Sequence, residues 1–158
     1  MRLSLKFVSL VLFVVLAGCA GPQPGTVSSR LDHVAISVAN AKASAEFYRG
    51  AFGFADLKTP FGDDADVVWL DLGGGVALHV FGGRKGDIAN EHERHMAFAV
   101  ADMARVTSFL TSKGIRWQNF DGVQGEMQTR PDGVRQMFFI DPDGYWVEVN
   151  DALKAAAR

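Results

Sequence analysis

A single cysteine, Cys19, is all that the chain of 158 residues contains. No disulfide can form within it, so the fold must stand on its packed core. Runs of like charge are also missing: 16 Lys and Arg stand against 18 Asp and Glu, for a net charge of -2. That excludes a basic face of the kind that binds nucleic acid. A bilayer-spanning helix needs about 20 consecutive apolar residues, and the longest such run, Phe7 to Leu16, is far shorter. Apolar residues nevertheless make up 48% of the chain, enough to bury a core and too many for a disordered protein. The length suits one domain, for which about 100–200 residues is usual.

What is present starts at the N-terminus. "MRLSLKFVSLVLFVVLAGC" sets Arg2 and Lys6 before the apolar run and small residues after it, the pattern of an export signal. Its close, "LAGC", resembles the processing box of bacterial lipoproteins. That resemblance implies that residues 1–18 are a signal peptide and that Cys19 receives lipid, which would anchor the protein to a membrane. Residue 20 is Ala rather than Asp. By the same resemblance, this directs the product to the cell envelope, on the periplasmic face of the outer membrane. Residues 19–30, rich in Gly, Pro and Ser, read as the tether.

From Leu31 the chain writes one pattern twice. "DHVAISVAN" and "RHMAFAVAD" each alternate apolar and small residues behind a histidine, as a half-covered strand does. Asn40 and Asp102 follow as helix caps. Helical spacing then places Ala43, Phe47, Ala51 and Phe52 in the first half, and Val106, Phe109 and Leu110 in the second. Gly53 and Gly114 end those helices. Each half closes on a hairpin, turned by Gly73–Gly75 in the first and by "DPDG" in the second. His33 and His95 lie 62 positions apart, as do Val38 and Val100, and Phe47 and Phe109. Gly75 and Gly144 lie 69 apart, as do His79 and Glu148, so seven extra residues fall within about Phe120–Pro131. The pattern is an internal duplication of a β-α-β-β-β unit, with module one at 31–82, module two at 93–150 and a tail at 151–158. The predicted fold class is α+β: two paired modules forming one curved mixed sheet, helices outside and a metal-binding cleft inside.

The helix covers the strand face bearing Val34, Ile36 and Val38, or Met96, Phe98 and Val100. His33 and His95 therefore point with small residues to the other face, which suits a cavity wall. Alternation turns His79 and Glu148 the same way from the last strand of each half. Three imidazoles and a carboxylate are costly to bury without a shared cation. They suit a divalent metal ion: Zn, Ni, Co, Fe or Mn.

These pieces resemble the vicinal oxygen chelate superfamily, which includes glyoxalase I, extradiol dioxygenases and bleomycin resistance proteins. The resemblance is carried by "LDHVAISVANAKASAEFYRGAFGF", "GVALHV", "HMAFAVADMARVTSFLTSKGI" and "GVRQMFFIDPDGYWVEVND". It spans Leu31 to Asn150 and implies a metal held by the positions of His33, His79, His95 and Glu148. In bacterial glyoxalase I the place of His79 is usually Glu, so Glu148 is the one carboxylate left here to act as the catalytic base. Members of the family pair their modules within one chain or across a homodimer.

Three functions are consistent with the residues. One is a glyoxalase I-like lyase or isomerase on a small carbonyl or thioester-type substrate, with Glu148 as proton shuttle. Another is an extradiol-type dioxygenase with His33, His95 and Glu148 on Fe(II). The third is a non-enzymatic small-molecule binder of the resistance type. Trp69, Arg135 and Trp146 are the expected substrate contacts, and Arg130 is weighed beside Arg135 for an anionic group. His92 reads as a solvated loop residue, Asp63, Asp64 and Asp66 as a solvated acidic loop, and Asp141 and Asp143 as turn residues.

Overall fold

The computed structural model describes residues 28–62, 66–89 and 91–155. The signal stretch, Cys19 and most of the tether lie outside the described residues, as do Asp63 and Asp64. The chain divides into two units, 1–30 and 31–158; the second holds both modules.

Module one runs β1 (His33–Ser37), α1 (Ala41–Phe52), β2 (Ala55–Leu57), β3 (Val67–Gly73) and β4 (Val76–Phe81). Module two runs β5 (His95–Ala99), α2 (Met103–Ser112), β6 (Trp117–Gln118), β7 (Gln128–Thr129), β8 (Arg135–Ile140) and β9 (Trp146–Asn150), followed by the short α3 (Ala152–Ala155). The extra seven residues contribute β7 and the turns before it. In each module the first strand pairs in parallel with the last: β1 with β4, β5 with β9. The sheet orders, β1-β4-β3-β2 and β5-β9-β8-β6, repeat the same topology. The caps sit where the sequence predicts. Asn40 accepts from the Ala43 N–H, and Asp102 from that of Arg105. Gly53, at φ 78°, takes the left-handed turn that ends α1.

The fold class is as predicted, a mixed α+β architecture, but the arrangement of its layers differs from the expectation. The strands form two sheets rather than one, and the helices lie between them rather than outside. One buried cluster unites Ile36, Leu70, Leu78 and Val80 of the first sheet with Met137, Phe139, Val147 and Val149 of the second. The side chain of Phe47 on α1 explains why. Its ring lies 5.6 Å from Phe109 on α2 and 6.0 Å from Phe139 on β8. Tyr48, fully buried on the same helix, reaches Phe98 on β5. An amphipathic pattern says which face of a helix is buried, not against which sheet.

Polar groups clasp the same junction. Tyr48 Oη donates to Asp141 Oδ2 at 2.6 Å. Asp143 accepts from the Ala39 N–H and from the Ser44 hydroxyl, and pairs with Arg84. The "DPDG" turn of module two is therefore also a plug in module one. Desolvation pushes the Tyr48 phenol well above its ordinary range, and the Asp141 charge adds to this. Burial likewise raises the Asp141 carboxyl, against the lowering effect of its hydrogen bond from Tyr48.

Candidate functional site

Alternation along β1 and β4 turns Val34, Ile36, Leu78 and Val80 to the core and His33 and His79 to the opposite face. Trp69 on β3 stands opposite His79 in the ladder. The three side chains form a stack. The Trp69 and His79 rings lie 4.0 Å apart and 4° from parallel; His79 and His33 lie 4.1 Å apart and 11° from parallel. Phe61 meets Trp69 edge-on. The indole Nε1 is buried with no hydrogen-bond partner among the described residues. Burial holds the His79 imidazole below the ordinary histidine range, and the neighbouring His33 adds to that lowering. His33 Nδ1 lies 2.8 Å from Asp32 Oδ2. A carboxylate accepts, so Nδ1 carries the hydrogen.

Module two builds its half in the same way. Met96, Phe98, Val147 and Val149 face the core, while His95, Trp146 and Glu148 face away. His95 Nε2 lies 3.2 Å from Glu148 Oε2, and both side chains are largely buried. His95 Nδ1 is 2.8 Å from the His92 carbonyl. A carbonyl only accepts, so this nitrogen too carries the hydrogen. Nε2 faces a carboxylate oxygen, and an approach this close calls for a positive charge between the two atoms. A proton or a metal ion meets that need. Asn150 Nδ2 donates to the other oxygen, Glu148 Oε1, at 2.8 Å. Arg130 approaches that same oxygen at 3.7 Å while pairing with Asp132.

Arg135 and His92 lie differently from what the sequence suggests. Arg135 is half-exposed and pairs with Asp151, with Nε 2.9 Å from Oδ2; of the two arginines weighed, Arg130 is the one beside Glu148. His92 is not a solvated loop residue. Its ring packs against Phe120, Phe138 and Trp146 at 4.9, 4.6 and 4.5 Å. Its Nε2 is buried without a hydrogen-bond partner among the described residues. Burial lowers its basicity, and His95 nearby lowers it further. Position in a polar loop gave no signal of this; the packing partners come from strands and a loop distant in sequence. Trp146 joins His92, and Trp69 joins His79, so two of the three tryptophans lie against a histidine.

In type, the donors fit a divalent ion: imidazole nitrogens and a carboxylate. His33 and His95 also have Nδ1 tied to an oxygen, the outer-shell support that metal-binding histidines need. In placement, one chain supplies the set in halves. Among the described residues no three His, Cys, Asp or Glu side chains gather where they could hold one ion. The predicted convergence of His33, His79, His95 and Glu148 is thus absent within the single chain. The reason is the shared core: each ligand-bearing face lies on the side of its sheet away from it.

Comparison with known proteins bears on the same residues. The model of the Glyoxalase/Bleomycin resistance protein/Dioxygenase superfamily matches residues 30–149. "Glyoxylase I 4" of Arabidopsis thaliana is 27% identical over 125 residues, covering 75% of this chain and 68% of that protein. Among solved structures, "Oxidase ChaP-H1" superposes with a TM-score of 0.64 at 26% identity, covering 78% of this chain and 96% of the other. The lactoylglutathione lyase of Agrobacterium tumefaciens gives 0.54 at 20% identity, covering 80% and 96%, a likeness of fold. With its duplicated module, its paired sheets and a family match across nearly all of its second unit, the chain belongs to the glyoxalase/bleomycin resistance protein/dioxygenase superfamily.

Proposed function

We propose that this protein is a metal-dependent lyase or isomerase acting on a small carbonyl or thioester-type compound, with His33, His95 and Glu148 as donors to the ion and Glu148 as the proton shuttle. The observation that carries the reading is the 3.2 Å approach of His95 Nε2 to Glu148 Oε2 with His95 Nδ1 already committed to the His92 carbonyl. A divalent ion of the Zn, Ni, Co, Fe or Mn type would supply Lewis acidity toward a substrate oxygen. Glu148 keeps one oxygen oriented by Asn150 and can take a proton α to a carbonyl on the other. The similarity to a plant protein named glyoxylase supports this class of chemistry.

The two half-sites are read as meeting between two copies of the chain, His33 of one facing His95 and Glu148 of the other. Three features support that pairing. The edge strands β1 and β5, each beside a candidate ligand strand, have a neighbour on one side in the sheet orders. Both ligand faces lie outside the shared core. An apolar cleft of about 840 Å³ runs along β5, lined by Val34, Phe52, Phe54, Val76 and Phe98 among others; a second copy would cover it.

A second reading is oxidative: His33, His95 and Glu148 as a two-His-one-carboxylate site on Fe(II). It uses the same three donors and is favoured by the likeness to a structure named as an oxidase. Metal analysis of protein from its native host, with a screen over hemithioacetals and catechols, separates the two. The expected result is a bound metal that His95→Ala and Glu148→Ala abolish. Zn or Ni with solvent deuterium entering the product supports the lyase; Fe(II) with oxygen uptake supports the dioxygenase. Metal content untouched by either substitution overturns both.

A further inference from the structure

We propose that His79 is not a ligand of the cation but a positioning residue, the middle ring of a three-ring stack that fixes the plane of His33. The inference rests on the metal reading above. An imidazole coordinates through a lone pair lying in its own ring plane. The His33 and His79 planes are 11° from parallel, with centroids 4.1 Å apart. Such planes do not converge on a nearby point. An ion midway would sit about 2 Å out of each ring, nearly the whole length of a metal–nitrogen bond of about 2.0–2.1 Å. Only one ring of the pair can aim at the ion from this arrangement.

His33 is the one prepared for it. Asp32 holds its Nδ1–H at 2.8 Å and leaves Nε2 as the donor. His79 has a ring on each face: Trp69 at 4.0 Å and 4°, His33 at 4.1 Å. Turning it out to coordinate would forfeit contact on both faces at once. The stack crosses β3, β4 and β1: Trp69 lies opposite His79 in the ladder, and His33, paired with Ala77, meets His79 along the diagonal. It therefore ties His33 to the middle of the sheet. Trp69 is held there by its face, since its buried Nε1 has no hydrogen-bond partner among the described residues. Trp69 and His79 together act as a rail along which the His33 ring lies flat, and the chain offers the ion three side-chain donors.

Two substitutions separate ring from ligand. His79→Phe keeps a flat ring that cannot coordinate; His79→Gln keeps an oxygen that can coordinate but has no ring to stack. The full chain is titrated with Zn²⁺, and its Co²⁺ form is read by visible absorption. His79→Phe is expected to bind Zn²⁺ within about threefold of wild type and to leave the Co²⁺ bands in place. His79→Gln is expected to bind about tenfold or more weakly, the loss typical of a missing outer-shell support. The reverse order, equal losses in both, or shifted Co²⁺ bands in His79→Phe would overturn the proposal. Loss of Zn²⁺ by His33→Ala keeps the metal reading standing in any of those cases. A wild-type protein that binds no Zn²⁺ or Co²⁺ removes both.

Discussion

Tyr48 shows how much one buried side chain holds here. Its ring is fully buried in the core shared by the modules, and its hydroxyl donates to Asp141 in the turn of module two. Burial, with the Asp141 charge second, raises the phenol above its ordinary value of 10.0. In the unfolded chain the phenol ionises near that value; in the folded protein it stays neutral to higher pH. The contribution to stability is therefore complete below about pH 10 and is lost as pH climbs toward the folded value, at up to about 1.4 kcal/mol per pH unit. Tyr48→Phe cannot ionise at all. It is expected to be less stable than wild type at pH 7 by about 1–3 kcal/mol, because Asp141 loses a buried partner. Its stability should also fall less steeply between pH 10 and 11. Chemical unfolding of both proteins at pH 7, 10 and 11 measures the two slopes; parallel slopes would remove Tyr48 from the account.

Among the elements, α1 carries the most constraint, and Gly50 is where it shows. A Cβ added there would sit 2.5 Å from Phe109 Cε2, inside the ring's own space. Two effects compete in Gly50→Ala. Helix propensity favours Ala by about 1 kcal/mol, while forcing the half-buried Phe109 ring aside costs about 1–3 kcal/mol. The clash wins, so urea unfolding should find the variant destabilised by about 1 kcal/mol. In a Phe109→Leu background the same change should turn neutral or stabilising, because the room has been made. Much of this level was legible in the residues. Two-residue alternation placed His33, His79, His95 and Glu148 on the faces away from the core, and the caps Asn40 and Asp102 fell where helices begin. The contacts of Phe47 with α2 and β8 were not legible, since periodicity names a buried face and not its partner. The aromatic surroundings of His92 were hidden for the same reason, as was the Arg135–Asp151 pair, formed by residues 16 positions apart.

At the scale of the molecule, the shared core decides where chemistry can happen. Helices packed between two sheets turn the faces bearing His33 and His95 outward, so one chain carries the candidate donors in two separated halves. If two copies complete each other, every site draws His33 from one chain and Glu148 from the other. His33→Ala alone and Glu148→Ala alone should then each lack metal. Refolded together in equal amounts, the two variants should regain it in part. Half of the resulting dimers are mixed, and each mixed dimer has one site with both residues intact and one with both replaced. About a quarter of the wild-type metal content and turnover should therefore return, a figure set by counting symmetric pairs. A site confined to one chain gives a different result, because neither variant holds a complete donor set and mixing supplies none. Metal analysis of the co-refolded dimer against each variant refolded alone reads the answer: recovery near a quarter places the two halves of the site on different copies, and no recovery places them on one.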